Sequence, residues 1–420
     1  MSDIDDESFE TENWLVNTEW IQDFLKDHHK YNADFVLKDY TVSAGSSNGL
    51  SNLSEVLAVK IQYEFQDEKH QLELFIKLLP HDPFSRFFVT EAQFDLREIK
   101  FYTQILPDLL EFQKRHLRAD AEPMTIAVPK CYHSTYNTGL NEEESSPEPS
   151  ESILVLQDMR PMGYQSAHFT SGLTLDETKY AIISISAVHA LSLAMKFKEK
   201  IQLNEKYPFL FQIDKASDSY QQLVEHGLPH LSKFLLEIGG KDEVLVALNQ
   251  VRSKTRTIIE TLLEPIEPMG LITHTDFWSN NLLLKNRPDP GKEDNCVILD
   301  WQMVTYSRAT NDIALLMISS LTSDVRRKNT ESLLDFYYDC LKKNLHKVNV
   351  DLEVDLGYSR QKLEFDYKKS QLLALLLCIG SVDIALGKKD AEERLIDALE
   401  DFNNDGVLNP NYLANLDNNC

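Results

Sequence analysis

Long apolar runs are missing from this 420-residue chain. The longest, Leu372–Gly380, is about half of the roughly 20 residues that span a bilayer. The acidic start MSDIDDESFE has no apolar core of the kind a secretory signal carries. Cysteine is scarce: Cys131, Cys296, Cys340, Cys378 and Cys420 make an odd, widely spaced set with no CxxC pair, so buried free thiols in a reducing compartment are expected. Positive charge is short as well. Lys and Arg number 42 against 67 Asp and Glu, and the net charge of −25 opposes nonspecific binding to nucleic acid or an anionic membrane. No GxSxG motif supports a hydrolase, no His/Cys cluster has zinc spacing, and no internal repeat is apparent. These absences predict a soluble cytoplasmic protein with no nucleic-acid, membrane or protein partner implied.

What is present is enough chain for two lobes. Trp14, Leu15, Trp20, Ile21, Phe24 and Leu25 recur at helical spacing between Asn13 and Tyr31. Strand-like segments follow at Phe35–Val42, Val56–Phe65 and Leu72–Leu78, an expected antiparallel meander, with two more at Thr125–Tyr132 and Ile153–Leu156. Between these, a helical stretch after Pro83 carries Glu98 and is expected to end near Pro107. Past residue 158 the pattern turns helical. Thr174-Leu-Asp-Glu177 is a capping box, and further helices are expected at Ser217–Ile238, Asp242–Leu263, Thr310–Thr322, Asn329–Asn344 and Ser359–Leu386. The acidic segments Asp3–Glu12, Glu142–Glu151 and Asp390–Asp405 read as solvated faces or tails. The fold class expected is α+β: residues 1–158 form a small lobe with an antiparallel sheet plus helix, and residues 159–420 a larger, mainly helical one.

Oxygen donors cluster between Leu271 and Trp301. His274-Thr-Asp276-Phe-Trp-Ser-Asn-Asn281 can project Asp276 and Asn281 into one cleft, and the apolar run Val297-Ile-Leu ends in Asp300. Two carboxylates and a carboxamide suit a hard cation and a hydroxyl that must lose a proton, the requirements of Mg²⁺-dependent phosphoryl transfer. The competing reading is polar strand ends that satisfy turn N–H groups. Lys77, the only basic residue in Gln71–Pro80, is expected to point inward toward Glu98 as a phosphate-binding cation, against the alternative of an edge lysine in solvent. Gly45 and Gly49 in Ser43-Ala-Gly-Ser-Ser-Asn-Gly could lay backbone N–H groups over phosphates, although an ordinary hairpin connection fits equally well. Asp312 reads first as a residue that opens a helix, and His189 as a hydrogen-bonded core histidine.

With Lys77, Glu98, HTDFWSNN, ILDW and Asn311-Asp312 in this order, the chain resembles the aminoglycoside phosphotransferase/choline kinase superfamily, in particular its ecdysteroid-kinase-like, or CHK-kinase-like, branch. The strings Glu98-Ile-Lys-Phe-Tyr-Thr-Gln-Ile-Leu-Pro107, Ile153-Leu-Val-Leu-Gln-Asp-Met159 and Val188-His-Ala-Leu-Ser192 support it, over roughly residues 14–405. The resemblance implies a protein-kinase-like bilobal fold with ATP and Mg²⁺ as cofactors and a small-molecule alcohol, such as an ecdysteroid, as acceptor. It implies Asp276 as catalytic base, Asn281 and Asp300 as metal ligands, and Lys77 as a phosphate contact held by Glu98. The backbone at Gln157, Asp158 and Met159 would bind adenine, while His274 and Asp312 would brace the catalytic loop. Two departures stand out: Thr275 where His-Gly-Asp is usual, and Trp301 where phenylalanine is usual. A protein kinase is disfavoured by the missing HRD, DFG and APE strings. A binding-only pseudokinase and a choline- or aminoglycoside-type kinase with a cationic acceptor stay open.

Overall fold

The computed structural model describes residues 16–30, 34–45, 53–137, 151–288, 292–409 and 411–417. Trp14, Leu15, Gly49 and Cys420 lie outside them. The chain divides into two compact units, Met1–Val89 with Lys130–Pro161, and Thr90–Pro129 with Met162–Cys420. The segment that carries Glu98 groups with the second unit.

In the first unit, α1 (Thr18–His28) starts at Asn17, whose side chain accepts from the Trp20 N–H, and buries Ile21, Phe24 and Leu25. The strands β1 (Phe35–Ala44), β2 (Glu55–Phe65) and β3 (Glu68–Leu78) form the expected antiparallel meander. Gln66 and Asp67, both at positive φ, make a two-residue loop between β2 and β3 whose twist suits a hairpin. After α2 (Pro83–Ala92), α3 (Phe94–Lys100) and α4 (Leu106–His116) of the chain come β4 (Cys131–Asn137) and β5 (Glu151–Gln157), giving the sheet order β1-β2-β3-β5-β4. Residues 125–130, expected in a strand, lie outside β4. Period-two alternation along β2 turns Leu57, Val59, Ile61 and Tyr63 toward α1, where Leu74, Ile76, Ile153 and Val155 complete the core. Lys77 lies half-buried on the opposite face, beside Val56 and Leu154.

In the second unit, α3 runs through a π turn, Phe101–Ile105, into α4. The Leu106 N–H bonds back to the Phe101 carbonyl, so the helix widens just before Pro107 and continues where an end was expected. Then follow β6 (Tyr164–Ser166), α5 (Leu175–Glu199), α6 (Leu203–Lys206), α7 (Ile213–Ile238), α8 (Asp242–Arg252) and α9 (Thr255–Leu263). The capping box of Thr174 and Glu177 opens α5 as expected. By length and composition α5 passes the test for a membrane span, which the longest apolar run did not reveal, but 83% of its most apolar window is buried inside the protein. It is a core helix. Short strands β7 (Gly270–Thr273), β8 (Leu282–Lys285), β9 (Cys296–Ile298) and β10 (Thr305–Arg308) form a β10-β7 pair and a β6-β8-β9 sheet.

The remaining helices are α10 (Ala309–Ser320), α11 (Ser323–Lys347), α12 (Arg360–Gly380), α13 (Val382–Ala385), α14 (Lys389–Asn404) and α15 (Tyr412–Asp417). The acidic run Asp390–Asp405, expected as a solvated face or tail, is mostly α14, which buries Ala391, Leu395, Ala398, Leu399 and Phe402. Its charges are the outer face of a packed amphipathic helix. The crossing of α7 over the end of α12 is unusually close. A Cβ added to Gly227 would stand 1.9 Å from the Ile379 carbonyl oxygen, so glycine is what lets the two backbones touch. Gly227→Ala should force this crossing apart and destabilise the protein by about 1–3 kcal/mol in denaturant unfolding; an unchanged midpoint would show that α7 is not seated there.

Candidate active site

The antiparallel pair β7 and β10 ends at Thr273↔Thr305, and the chain then leaves the ladder as the turn His274–Asp276. The turn is pinned from below by the fully buried Asp312 on the first turn of α10. Its Oδ2 accepts from the His274 N–H at 2.8 Å, and its Oδ1 accepts from the Thr275 N–H at 2.7 Å. The Asp276 N–H donates to Nδ1 of His274 (3.3 Å), which leaves the proton on Nε2 to donate to the Leu299 carbonyl at 2.8 Å. Asp312 thus braces the turn through backbone N–H groups, and His274 ties it to the segment before Asp300. Thr275 sits at φ +68°, in the left-handed region that glycine enters freely. Its hydroxyl meets that of Thr273 at 2.9 Å.

Asn281 follows on a single 3₁₀ turn, and its Nδ2 donates to both the main-chain oxygen and Oδ2 of Asp276, each at 2.8 Å. These two bonds orient the amide, so Oδ1 is the face left for another partner. Pairing of β8 with β9 continues one step past Leu282↔Ile298, where the Leu299 N–H donates to the Asn281 carbonyl at 2.9 Å. That ladder delivers Asn281 and Asp300 to the same end of the hairpin. Asp300 is also left-handed, at φ +61°. Behind it Trp301, fully buried, stacks on Phe101 with ring centroids 3.8 Å apart and also meets the His274 ring.

Burial raises the Asp276 carboxyl above its ordinary value; His274 works against this, the nearby Asp300 charge adds to it, and the Asn281 hydrogen bond opposes it. Arg97, which sequence reasoning passed over, donates from Nε to the Gln302 carbonyl at 2.9 Å and lies over the Phe211 ring at 4.0 Å. Its burial brings the guanidinium down to about 10. Arg97 therefore fixes the turn after Asp300 from α3. Tyr220 on α7 was also missed. Its phenol is pushed well up by burial, then by the Asp276 charge, and its hydroxyl has no hydrogen-bond partner among the described residues. Neither residue belongs to a local string, since each acts on a segment distant in sequence. His189 is the core histidine expected, with Nε2 donating to Asp312 at 3.1 Å and Nδ1 accepting from the Tyr337 hydroxyl at 2.9 Å.

The second unit thus brings together His274, Asp276, Asn281, Asp300 and Asp312. Glu98 is buried on α3 of the same unit. In the first unit Gly45 closes β1, its N–H donating to the Val56 carbonyl at 2.7 Å and its Cα packed beside Val56 and Phe75. Lys77 is on the strand next to β5, whose end carries Gln157. Of the expected adenine-binding backbone, the Gln157 N–H is taken by the Lys130 carbonyl and the Asp158 N–H by the Glu73 carbonyl. The Asp158 carboxylate holds Arg160 at 2.6 Å, and Met159 is buried.

Known proteins add a second line of findings. In sequence the chain is 18% identical over 275 residues to the uncharacterized oxidoreductase dhs-27 of Caenorhabditis elegans, a match that covers 63% of this chain but 31% of that protein. In structure it is similar to a choline kinase from Cryptosporidium parvum Iowa II, at TM-score 0.48 and 13% identity, covering 94% of this chain and 98% of that one. An amicoumacin kinase in complex with AMP-PNP and Ca²⁺ gives TM-score 0.45 at 10% identity, covering 93% and 94%. Neither likeness reaches a TM-score of 0.5, so the assignment rests on the family match. The model of the ecdysteroid kinase-like family matches residues 49–350, a span that takes in Lys77, Glu98, the His274–Asn281 turn, Asp300 and Asp312. Over well more than half of its length, then, the chain belongs to the ecdysteroid kinase-like family.

Proposed function

We propose that this chain is an ATP- and Mg²⁺-dependent phosphotransferase that phosphorylates a hydroxyl of a small molecule, with an ecdysteroid or related apolar alcohol as the acceptor class. The observation that carries the reading is the double hydrogen bond from Asn281 to Asp276. It separates two roles within one short loop. The amide nitrogen orients a carboxylate, while the amide oxygen and the Asp300 carboxylate form an all-oxygen donor set of the kind Mg²⁺ takes. Asn281 and Asp300 would hold Mg²⁺, which would supply positive charge against the phosphates. Asp276 accepts the proton of the acceptor hydroxyl as its oxygen attacks the γ-phosphorus of ATP and the bond to the departing ADP breaks, and the raised basicity of this carboxylate suits that task. In the first unit Lys77 and the Met159 backbone are the candidate nucleotide contacts, since the Gly45, Gln157 and Asp158 N–H groups are already taken. We also place the protein in the cytoplasm, because Cys131, Cys296, Cys340 and Cys378 are free thiols and burial pushes Cys296 and Cys378 up to about 12.

Labelled ATP offered with Mg²⁺ and a panel of ecdysteroids, choline and aminoglycosides should label an ecdysteroid. Transfer to choline would move the acceptor class. No transfer, together with no Mg-ATP-dependent thermal shift, would leave a binding-only protein.

Asp276→Asn should lower turnover roughly 10²–10⁴-fold while the Mg-ATP thermal shift persists. The ligand-free variant should also melt higher than wild type. A carboxyl whose pKa is raised on folding opposes folding once pH exceeds its unfolded value, and the amide removes that charge but keeps an acceptor for Asn281. A variant that is both slow and less stable would make Asp276 a structural residue.

Thr275 separates strain from hydrogen bonding. Left-handed backbone costs a side chain about 1–2 kcal/mol, glycine's chain entropy about 0.5–1 kcal/mol, and a lost hydroxyl bond about 0.5–1.5 kcal/mol. Thr275→Gly should therefore be near neutral in chemical denaturation. Thr275→Val keeps the strain and loses the bond, so it should be destabilised by about 1 kcal/mol; the reverse order would remove strain from the account.

A further inference from the structure

The geometry points to a surface binding site for a transition-metal ion, of the zinc class, formed by His226, His230 and Asp383 in the second unit. The sequence carries only half of it, the His226–His230 pair, which the expectation of no zinc spacing passed over; the third ligand comes from a helix 153 residues away from His230. His226 and His230 stand four residues apart on α7 and so share one helix face, the spacing by which two imidazoles reach one ion. Asp383 lies on α13, directly after the end of α12. The Nε2 of His226 is 3.5 Å from the Asp383 carboxylate, and the Nδ1 of His230 is 2.6 Å from it. The three ligand atoms all fall within 4.8 Å of one another, the one such trio among the described residues.

Tetrahedral zinc, with bonds of about 2.0–2.2 Å, holds its ligand atoms about 3.4 Å apart. The His226 separation already matches. The His230 pair must open by about an ångström and the widest pair must close. The side chains are free to do so, being 66%, 46% and 54% exposed for His226, His230 and Asp383. Their backbones are fixed. Gly227, next to His226, lies against the Ile379 carbonyl, and Gly380 packs on Leu223, so the crossing that joins α7 to the α12–α13 corner sets the ligand spacing in advance. Rigid backbones under mobile donor side chains are what a metal site needs from a fold.

The donor set decides the ion. Two imidazole nitrogens and one carboxylate suit zinc and its neighbours in the first transition row, whereas magnesium and calcium take oxygen sets. Metal binding forms two metal–nitrogen bonds and one metal–oxygen bond; His230 then carries its single imidazole proton on Nε2, which leaves Nδ1 to the metal in place of Asp383. Three protein ligands leave the fourth position to water or an outside group. The inference is independent of the proposed phosphotransfer, because none of its residues belongs to the His274–Asp300 region.

The test uses full-length, tag-free protein stripped with EDTA, dialysed against zinc chloride and then against metal-free buffer, with zinc counted by atomic emission. Wild type should retain roughly one zinc per chain more than the double variant His226→Ala/His230→Ala. Zinc, but not magnesium, should raise the melting temperature of wild type, and Asp383→Ala should lose most of that shift. All three side chains are exposed, so the variants should fold, and circular dichroism checks this. Equal zinc content in wild type and the double variant, or no zinc retained by wild type, overturns the site.

Discussion

A single buried carboxylate, that of Asp312, is what the His274–Asp276 turn hangs on. An isolated carboxylate in the interior costs several kcal/mol in lost hydration, so it persists only where donors replace water. Here the donors are the His274 and Thr275 N–H groups and the His189 imidazole, with the Tyr337 hydroxyl behind the last. The same contacts serve the other side of the account, since two N–H groups of a tight turn would otherwise be buried without partners. The anchor is itself anchored. The Asn311 amide donates to the Leu262 carbonyl, and Ser370 on α12 meets both Asn311 and Thr310. Helices α5, α9, α10, α11 and α12 are thereby all joined to the position of one turn.

That bracing explains how Thr275 can occupy a place where glycine is usual in the branch the chain resembles. A left-handed threonine survives only where its surroundings over-determine the backbone, and the hydrogen bonds at His274, Thr275 and Asp276 do so. Asp300, also left-handed, is held in the same fashion: Leu299 is tied on both its N–H and its carbonyl, and Trp301 is clamped between Phe101 and His274. Tryptophan in place of phenylalanine there changes packing and leaves the Asp300 carboxylate in place.

What could be read from the sequence was what short-range periodicity controls. The meander of β1 to β3, the capping box of α5 and most helices follow from alternation, 3.6-residue spacing and capping, which are local properties. The candidate site was legible for the same reason, since Asp276, Asn281 and Asp300 sit on one β8–β9 hairpin and the turn before it. Arg97 and Tyr220 were not legible. Each depends on which residues distant in sequence become neighbours. In Asp390–Asp405 the solvated face was legible from charge density, while the stripe of Ala391, Leu395, Ala398 and Phe402 seats it as a packed helix. The π turn before Pro107 misled, since a residue that ordinarily ends a helix was absorbed by one widened turn.

Strain and repulsion coincide between Thr275 and Asp300. Two non-glycine residues with positive φ, a carboxylate made basic by burial, and a second carboxylate whose charge raises it further all lie within the stretch from Thr275 to Asp300. Elsewhere in the second unit charge is neutralised locally, as where Arg327 meets Asp397 and Asp401, or Arg360 meets Glu331 and Asp335. A fold selected for stability alone would remove this local conflict, for example with an amide at position 276. Its retention fits the proposed phosphotransfer, in which a divalent cation at Asn281 and Asp300 and a proton arriving at Asp276 each relieve part of it.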